Sequence, residues 1–381
     1  MRLLSHLNTY SFLYGTFFIL IGLPYAALSP APLSIGSIIC FLPFLTQIIF
    51  DKTSVIESLK KSVPFVLFFL IFLASGIWSY ENSEWYRKIS LKLPYLLIPL
   101  GFYSSSNLLK HKNKIYYLWV ITIALTALAS LVNYAINFDE INSLILQSKS
   151  VPIFPFDKGI SHIYFSVFSS WACLWAIINY VVNKKKIDLF FAGFLFISMH
   201  ILSARTGLVA FYITLGLGIL IYLKTNKISL KKYFKYLPFL VIIPVLSVYL
   251  IPSLKNRIIN TSQDISTLKN ETDINDRSIA MRVEAWKTTL NIIKNNLLFG
   301  VGSGDLAIEM NNTYINNDSI LKPYNRIMPH NQFLETWAET GILGFFLLLF
   351  LLIFKPIKEF IKKKNLYKLL FPVLCSFSFL V

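Results

Sequence analysis

About eleven apolar stretches of 15 to 23 residues follow one another along this chain, near residues 11–29, 31–50, 63–80, 89–103, 115–137, 160–182, 187–203, 206–223, 236–254, 332–354 and 366–381. A helix of about 20 such residues crosses roughly 30 Å of hydrocarbon, and a helix satisfies its own backbone polar groups in lipid. The sequence therefore predicts an all-α, polytopic integral membrane bundle of about 11 transmembrane helices. A chain that is 55% apolar and 14% charged, with mean hydropathy +0.59, is excluded from the ordinary soluble class. The first stretch has Arg2 ahead of it and small residues at Ala26, Ala27 and Ser29, as a signal peptide would. The apolar pattern resumes directly after Pro32, and the stretch is read as a helix.

The net charge of +17 needs a membrane explanation, because 33 Phe, 20 Tyr and 7 Trp exceed what a nucleic-acid-binding surface in water would carry. With a cytoplasmic N-terminus, the segments facing inward hold 21 basic residues against the acids Asp51, Glu57, Asp188 and Glu359, which sums to +17. The segments facing outward hold 15 basic and 15 acidic residues and sum to zero. Basic excess on one side fixes orientation, with that side in the cytoplasm. The same alternation gives three regions: helices 1 to 9 over 1–254, one large outside loop over 255–330, and helices 10 and 11 over 331–381. A smaller outside loop covers about 138–159. Cys40, Cys173 and Cys375 lie in apolar runs without a CxxC pair, which suggests neither disulfides nor a metal site.

Chemistry is expected in the large loop. Ile279, Val283, Trp286, Leu290, Ile293 and Leu297 recur at steps of 3 and 4, which predicts an amphipathic helix on the membrane surface or against the bundle. Arg282 falls near the centre of that apolar stripe. Its guanidinium either snorkels to water or clamps a phosphate, for which a planar fork of donors is suited. Arg205 stands at the break between two apolar runs, on the outside and without a neighbouring acid. A charge in hydrocarbon costs about 2.5–3.5 kcal/mol or more, so Arg205 must reach water, a lipid phosphate or an anionic substrate. His330 closes the loop in Pro329-His330-Asn331; it is a general base for a sugar hydroxyl or an ordinary loop histidine. Glu335 and Glu339 follow at i, i+4 spacing; Glu335 orients the imidazole or is a solvated first-turn acid.

Gly300, Gly302 and Gly304 form an anion-binding nest or, more simply, a helix stop. His162 and Tyr164 open the sixth stretch on the outside and are candidates to line the same cavity, whereas His111 and His200 read as interfacial or buried residues without partners. The absence of GK[ST], DxD, HExxH and Cys/His clusters favours a metal-independent reaction without a cofactor.

Three segments in order resemble the O-antigen ligase and O-antigen polymerase superfamily of bacterial membrane glycosyltransferases: SARTG at 203–207, RVEAWKTTLNIIKNNLLFGVGSG at 282–304, and the segment from His330. The last fits a ligase-type pattern of H, then N, S or Q, nine residues, G, two residues, G, here His330-Asn331, Gln332 to Thr340, Gly341 and Gly344. The resemblance covers roughly 190–354. It implies inverting transfer of a glycan from undecaprenyl diphosphate to an acceptor such as lipid A core, at the periplasmic face of the inner membrane. By that resemblance Arg205 and Arg282 hold and stabilise the diphosphate, and His330 activates or orients the acceptor hydroxyl. Asn331, Glu335, His162 and Tyr164 are further candidates for substrate contact. The expected partners are the polyprenyl diphosphate-linked glycan, a glycan or glycolipid acceptor and membrane lipids, with no nucleic acid. Two alternatives stay open: a polymerase joining repeat units on the same carrier, and a flippase or transporter of lipid-linked sugars. A transporter would place ionisable residues at mid-membrane.

Overall fold

The computed structural model describes residues 2–105, 108–156, 161–202, 205–225, 227, 238–269 and 273–358. Among these residues there are helices and turns and no strand. The helices are α1 (Arg2–Gly22), α2 (Ala31–Phe50), α3 (Lys52–Ala74), α4 (Asn82–Lys92), α5 (Pro94–Ser104), α6 (Lys112–Ile136), α7 (Phe138–Leu146) and α8 (His162–Asn183). They continue with α9 (Lys186–Ile201), α10 (Arg205–Thr225), α11 (Phe239–Leu250), α12 (Pro252–Lys269), α13 (Ser278–Asn295), α14 (Leu306–Asn316) and α15 (Gln332–Leu349). The protein is a polytopic helical membrane protein. Among the described residues seven helices are long and apolar enough to span, or eight with the bent pair α11 and α12 counted as one span.

The difference from about eleven has local causes. The stretch at 89–103 divides at Leu93-Pro94 into α4 and α5, each of 11 residues. The stretch at 187–203 gives α9, which has 16 residues. The stretch at 236–254 ends early: Ile251, the residue before Pro252, is extended at φ −108°, ψ 111°, as a pre-proline residue prefers, and the chain bends by 98° into α12. The stretch at 366–381, with Cys375, lies outside the described residues.

The chain forms two compact units, one of residues 1–118 and 281–351 and one of 119–280 and 352–381. In the first unit α1 packs along α2, and α5 packs on α2 and α3. Small residues permit these approaches: a side chain at Gly101 would collide with the carbonyl of Cys40, which is itself wholly buried. Asp51 caps α3 by accepting from Ser54 N at 3.2 Å, and α15 packs on α3. In the second unit α8 packs on α9 and α10, and α12 packs on α7 and α11. Gly207 sets the spacing of α10 on α8, since a Cβ there would strike Ser166, and Ser170 Oγ donates to Gly207 O at 2.8 Å. His200 is not partnerless as the sequence suggested. Buried on α9, its ring nitrogens meet Phe196 O at 2.7 Å and Tyr212 Oη at 2.9 Å. His111 likewise packs on the ring of Tyr10, with centroids 5.6 Å apart.

Candidate functional site

In the first unit, α13 carries Arg282 and Trp286 one turn apart, on one side of the helix. Trp286 Nε1 donates to Pro329 O at 2.8 Å, and from the other side Tyr314 Oη of α14 donates to Ile327 O at 2.9 Å. These two bonds hold the strand-like segment 327–329 and deliver His330 at its end. His330 has left-handed backbone geometry, φ 49°. That conformation is uncommon outside glycine, with Asn, Asp and His the side chains that tolerate it best, and it turns the chain sharply into α15.

Asn331 starts that helix. Its Oδ1 accepts from Phe333 N at 3.0 Å and Leu334 N at 3.2 Å, and Glu335 N closes the turn on Asn331 O at 2.9 Å. The carboxamide oxygen, a candidate for substrate, is therefore a helix cap. His330 is exposed as a residue. Its pKa is lowered from the usual histidine value, first by partial desolvation of the ring and then by the Arg282 charge, while Glu335 opposes both. Arg282, His330 and Glu335 are thus brought together, in a field that favours the neutral ring.

A residue that sequence reasoning missed completes this region. Lys88 of α4, 8% exposed, donates its Nζ to Glu339 Oε1 and lies 4.0 Å from Glu335 Oε1. Glu339 is fully buried, and its other oxygen, Oε2, has no hydrogen-bond partner. The spacing of Glu335 and Glu339 on a helix otherwise apolar was the available signal, since a carboxylate buried there requires a cation. Which cation could not be read from spacing, because Lys88 is about 250 positions away in sequence.

The glycines of FGVGSG fold as architecture rather than as an anion nest. Val301 N and Gly302 N donate to Ala338 O and Glu339 O at 2.8 and 3.0 Å, and Ile342 N donates to Leu297 O at 3.1 Å. Ser303 N and Gly304 N are taken by the hydroxyls of Ser75 and Ser79, and the Asp305 carboxylate accepts from Tyr80 N and Glu81 N, both at 2.8 Å. Amides so engaged cannot also cradle a phosphate. The ladder requires α15 to open at Gly341, φ 72°, ψ −168°, where a side chain would collide with Leu298 O.

The buried face of α13 also departs from the sequence pattern. Ala285, Thr288, Thr289, Ile292 and Ile293 are buried, whereas Leu290 and Leu297 are each 43% exposed. Small and hydroxyl-bearing residues allow close helix contact, so the packed face of α13 is not set by its largest apolar residues alone.

The second unit holds the other sequence-derived candidates. Arg205 opens α10 and donates Nη1 to Thr261 Oγ1 of α12. His162 opens α8 beneath a cap in which Ser161 accepts from Ile163 N at 3.3 Å, and Tyr164 is exposed. The contact of Ser166 and Ser170 with Gly207 puts the starts of α8 and α10 at the same end of that pair, so His162 and Arg205 share an end of the unit. Arg257 on α12 was not singled out from sequence. It is 5% exposed, and its charge acts on that of Arg205.

Long apolar helices define a membrane-embedded protein, with Arg282, His330 and the Lys88–Glu339 pair in its first unit and Arg205 and Arg257 in its second. Residues 190–349 match the family described as O-antigen ligase. The match spans Arg205, Arg257, Arg282 and His330. The chain is also similar to a Haemophilus influenzae protein described as uncharacterized, at 25% identity over 386 residues covering 97% of this chain and 90% of that protein.

Proposed function

We propose that this protein is an O-antigen ligase-like glycosyltransferase that moves a glycan from undecaprenyl diphosphate to an acceptor hydroxyl, on lipid A core or a similar glycolipid, at the periplasmic face of the inner membrane. The observation that carries the reading is the match to the O-antigen ligase family over 190–349, with Arg282 and His330 in one unit and close enough for their charges to interact. The neutral imidazole of His330 accepts the proton of the acceptor hydroxyl as that oxygen bonds to the anomeric carbon. The bond from that carbon to the diphosphate oxygen breaks on the opposite face, which inverts the centre. The electron pair leaves with the diphosphate, whose growing charge Arg282 and Arg205 stabilise. Glu335 tunes the imidazole, and Asn331 holds the helix start that fixes its position. His162 and Tyr164 are assigned to contact with the glycan or its carrier.

Ligase rather than polymerase rests on the description of the family, since the Gly341 and Gly344 spacing is accounted for by the break in α15 and by close packing on Thr340 and Thr336. The test is the size and attachment of glycan in cells carrying His330→Ala at matched expression. Long chains left on the carrier with bare lipid A core support the ligase. Single repeat units on the core support the polymerase, and unchanged pools overturn the role of His330.

A further inference from the structure

Apart from Leu254, the buried face of α12 is polar. Ser253, Arg257, Asn260, Asp264 and Thr267 are all 9% exposed or less, whereas Ile258, Ile259 and Ile265 are 39–47% exposed. Most of these inward groups are satisfied. Ser253 Oγ donates to Ile201 O at 2.6 Å, Asn260 Nδ2 donates to Ile145 O, and Asp264 Oδ2 accepts from Ile279 N at 3.1 Å. Arg257 departs furthest from this, since its Nε and Nη2 are both buried without any hydrogen-bond partner. Among the described residues no carboxylate lies within 4.0 Å of it, and the charge acting on it is the second guanidinium, Arg205. Asp264 acts on Arg205 and keeps one buried oxygen, Oδ1, without a partner.

A buried guanidinium costs too much to leave unpaired, and a like charge beside it raises the cost. Nε and Nη2 are also the two nitrogens that share one edge of the guanidinium plane. That edge presents two parallel N–H donors to two oxygens of a phosphate. We propose that Arg257 forms with Arg205 a two-guanidinium seat for the diphosphate of a polyprenyl-linked donor, with the Nε/Nη2 edge of Arg257 as its bidentate contact. This rests on the donor class proposed above and adds to it a binding residue that its sequence pattern does not contain.

The test uses the full-length protein in phosphatidylcholine nanodiscs, with geranylgeranyl diphosphate as probe and both affinity and thermal unfolding as readouts. The wild type is expected to bind and to unfold at a higher temperature with the probe. Arg257→Met is expected to weaken binding about tenfold or more, as expected from loss of one charge-assisted pair, while its midpoint without probe equals or exceeds that of the wild type. Arg257→Lys keeps the charge but not the fork. It is expected to fall between the two, and it carries the test if the Met variant is not recovered folded. Unchanged affinity in the variants, with a lower midpoint in the absence of probe, overturns the proposal and makes Arg257 a structural residue. Stabilisation by phosphatidylglycerol in the nanodisc, with nothing added by the probe, overturns it in favour of a lipid headgroup. If the wild type binds no geranylgeranyl diphosphate in either membrane, the donor class and this seat fall together, whereas wild-type binding unaltered by Arg257→Met removes the seat alone.

Discussion

Two charges of opposite sign act on the His330 imidazole, and their separate effects can be measured. Arg282 lowers the pKa and Glu335 raises it, on top of the larger lowering by burial. If the neutral ring is the working base, activity falls as pH drops through that pKa. Glu335→Gln removes the group that raises it, so the pKa falls further and the neutral form persists at lower pH. The acidic limb of kcat/KM is therefore expected to move to lower pH in Glu335→Gln, and a move to higher pH would refute this assignment. Arg282→Lys retains a charge but not two parallel donors, and it is expected to lose about 10²–10³ in kcat, the usual loss for a preorganised donor. Full turnover in the Lys variant would remove Arg282 from the diphosphate. Arg282 and His330 stood out in the sequence as candidates because the loop places few groups of these types beside long apolar runs. What Asn331 does was not legible, because capping depends on the φ of −133° that the left-handed turn at His330 imposes.

At the scale of elements, α4 and α15 are tied by one buried ion pair, Lys88 with Glu339. Removing one partner of such a pair strands the other charge, at a typical cost of about 3–5 kcal/mol, whereas replacing both by apolar groups is often neutral. Lys88→Met is therefore expected to lower the unfolding midpoint strongly, and Lys88→Met with Glu339→Leu to recover most of the loss. Equal loss in the single and double variants would show that the pair does not couple the helices. This pair also explains what pattern reasoning could and could not supply. Most long helices were legible from hydropathy, since a spanning helix is defined by length and apolarity alone. The fourth and ninth stretches were misjudged in extent because Pro94 and Pro252 act through local backbone geometry that a hydropathy window averages away. The stripe on α13 gave the period and left open whether the helix lies on the membrane surface or against the bundle; it packs through Ala285, Thr288 and Thr289 beside Ile292 and Ile293, which inverts the simple rule that large apolar residues face inward. The polar inward face of α12, with Arg257 upon it, is the same inversion carried further.

For the molecule as a whole, the charge distribution is the sequence property with the widest reach. Lys52, Lys60 and Lys61 in α3, Lys110, Lys112 and Lys114 before and in α6, and Lys184, Lys185 and Lys186 leading into α9 recur at alternate connections of the eleven apolar stretches of the sequence. Basic residues resist translocation, so these connections are expected on the cytoplasmic side and the segment that contains α14 on the other. The proposed chemistry depends on this orientation, because His330 and its acceptor must share a side of the membrane. Single cysteines decide the matter. Asn317 and Lys186 are both exposed, and Cys40 and Cys173 are buried, so with Cys375→Ser the introduced thiols dominate labelling. In intact spheroplasts a membrane-impermeant maleimide is expected to label Asn317→Cys at once and Lys186→Cys only after permeabilisation. The opposite pattern would put His330 on the cytoplasmic side, out of reach of a periplasmic acceptor, and would remove the proposed reaction even if every contact around His330 were correct.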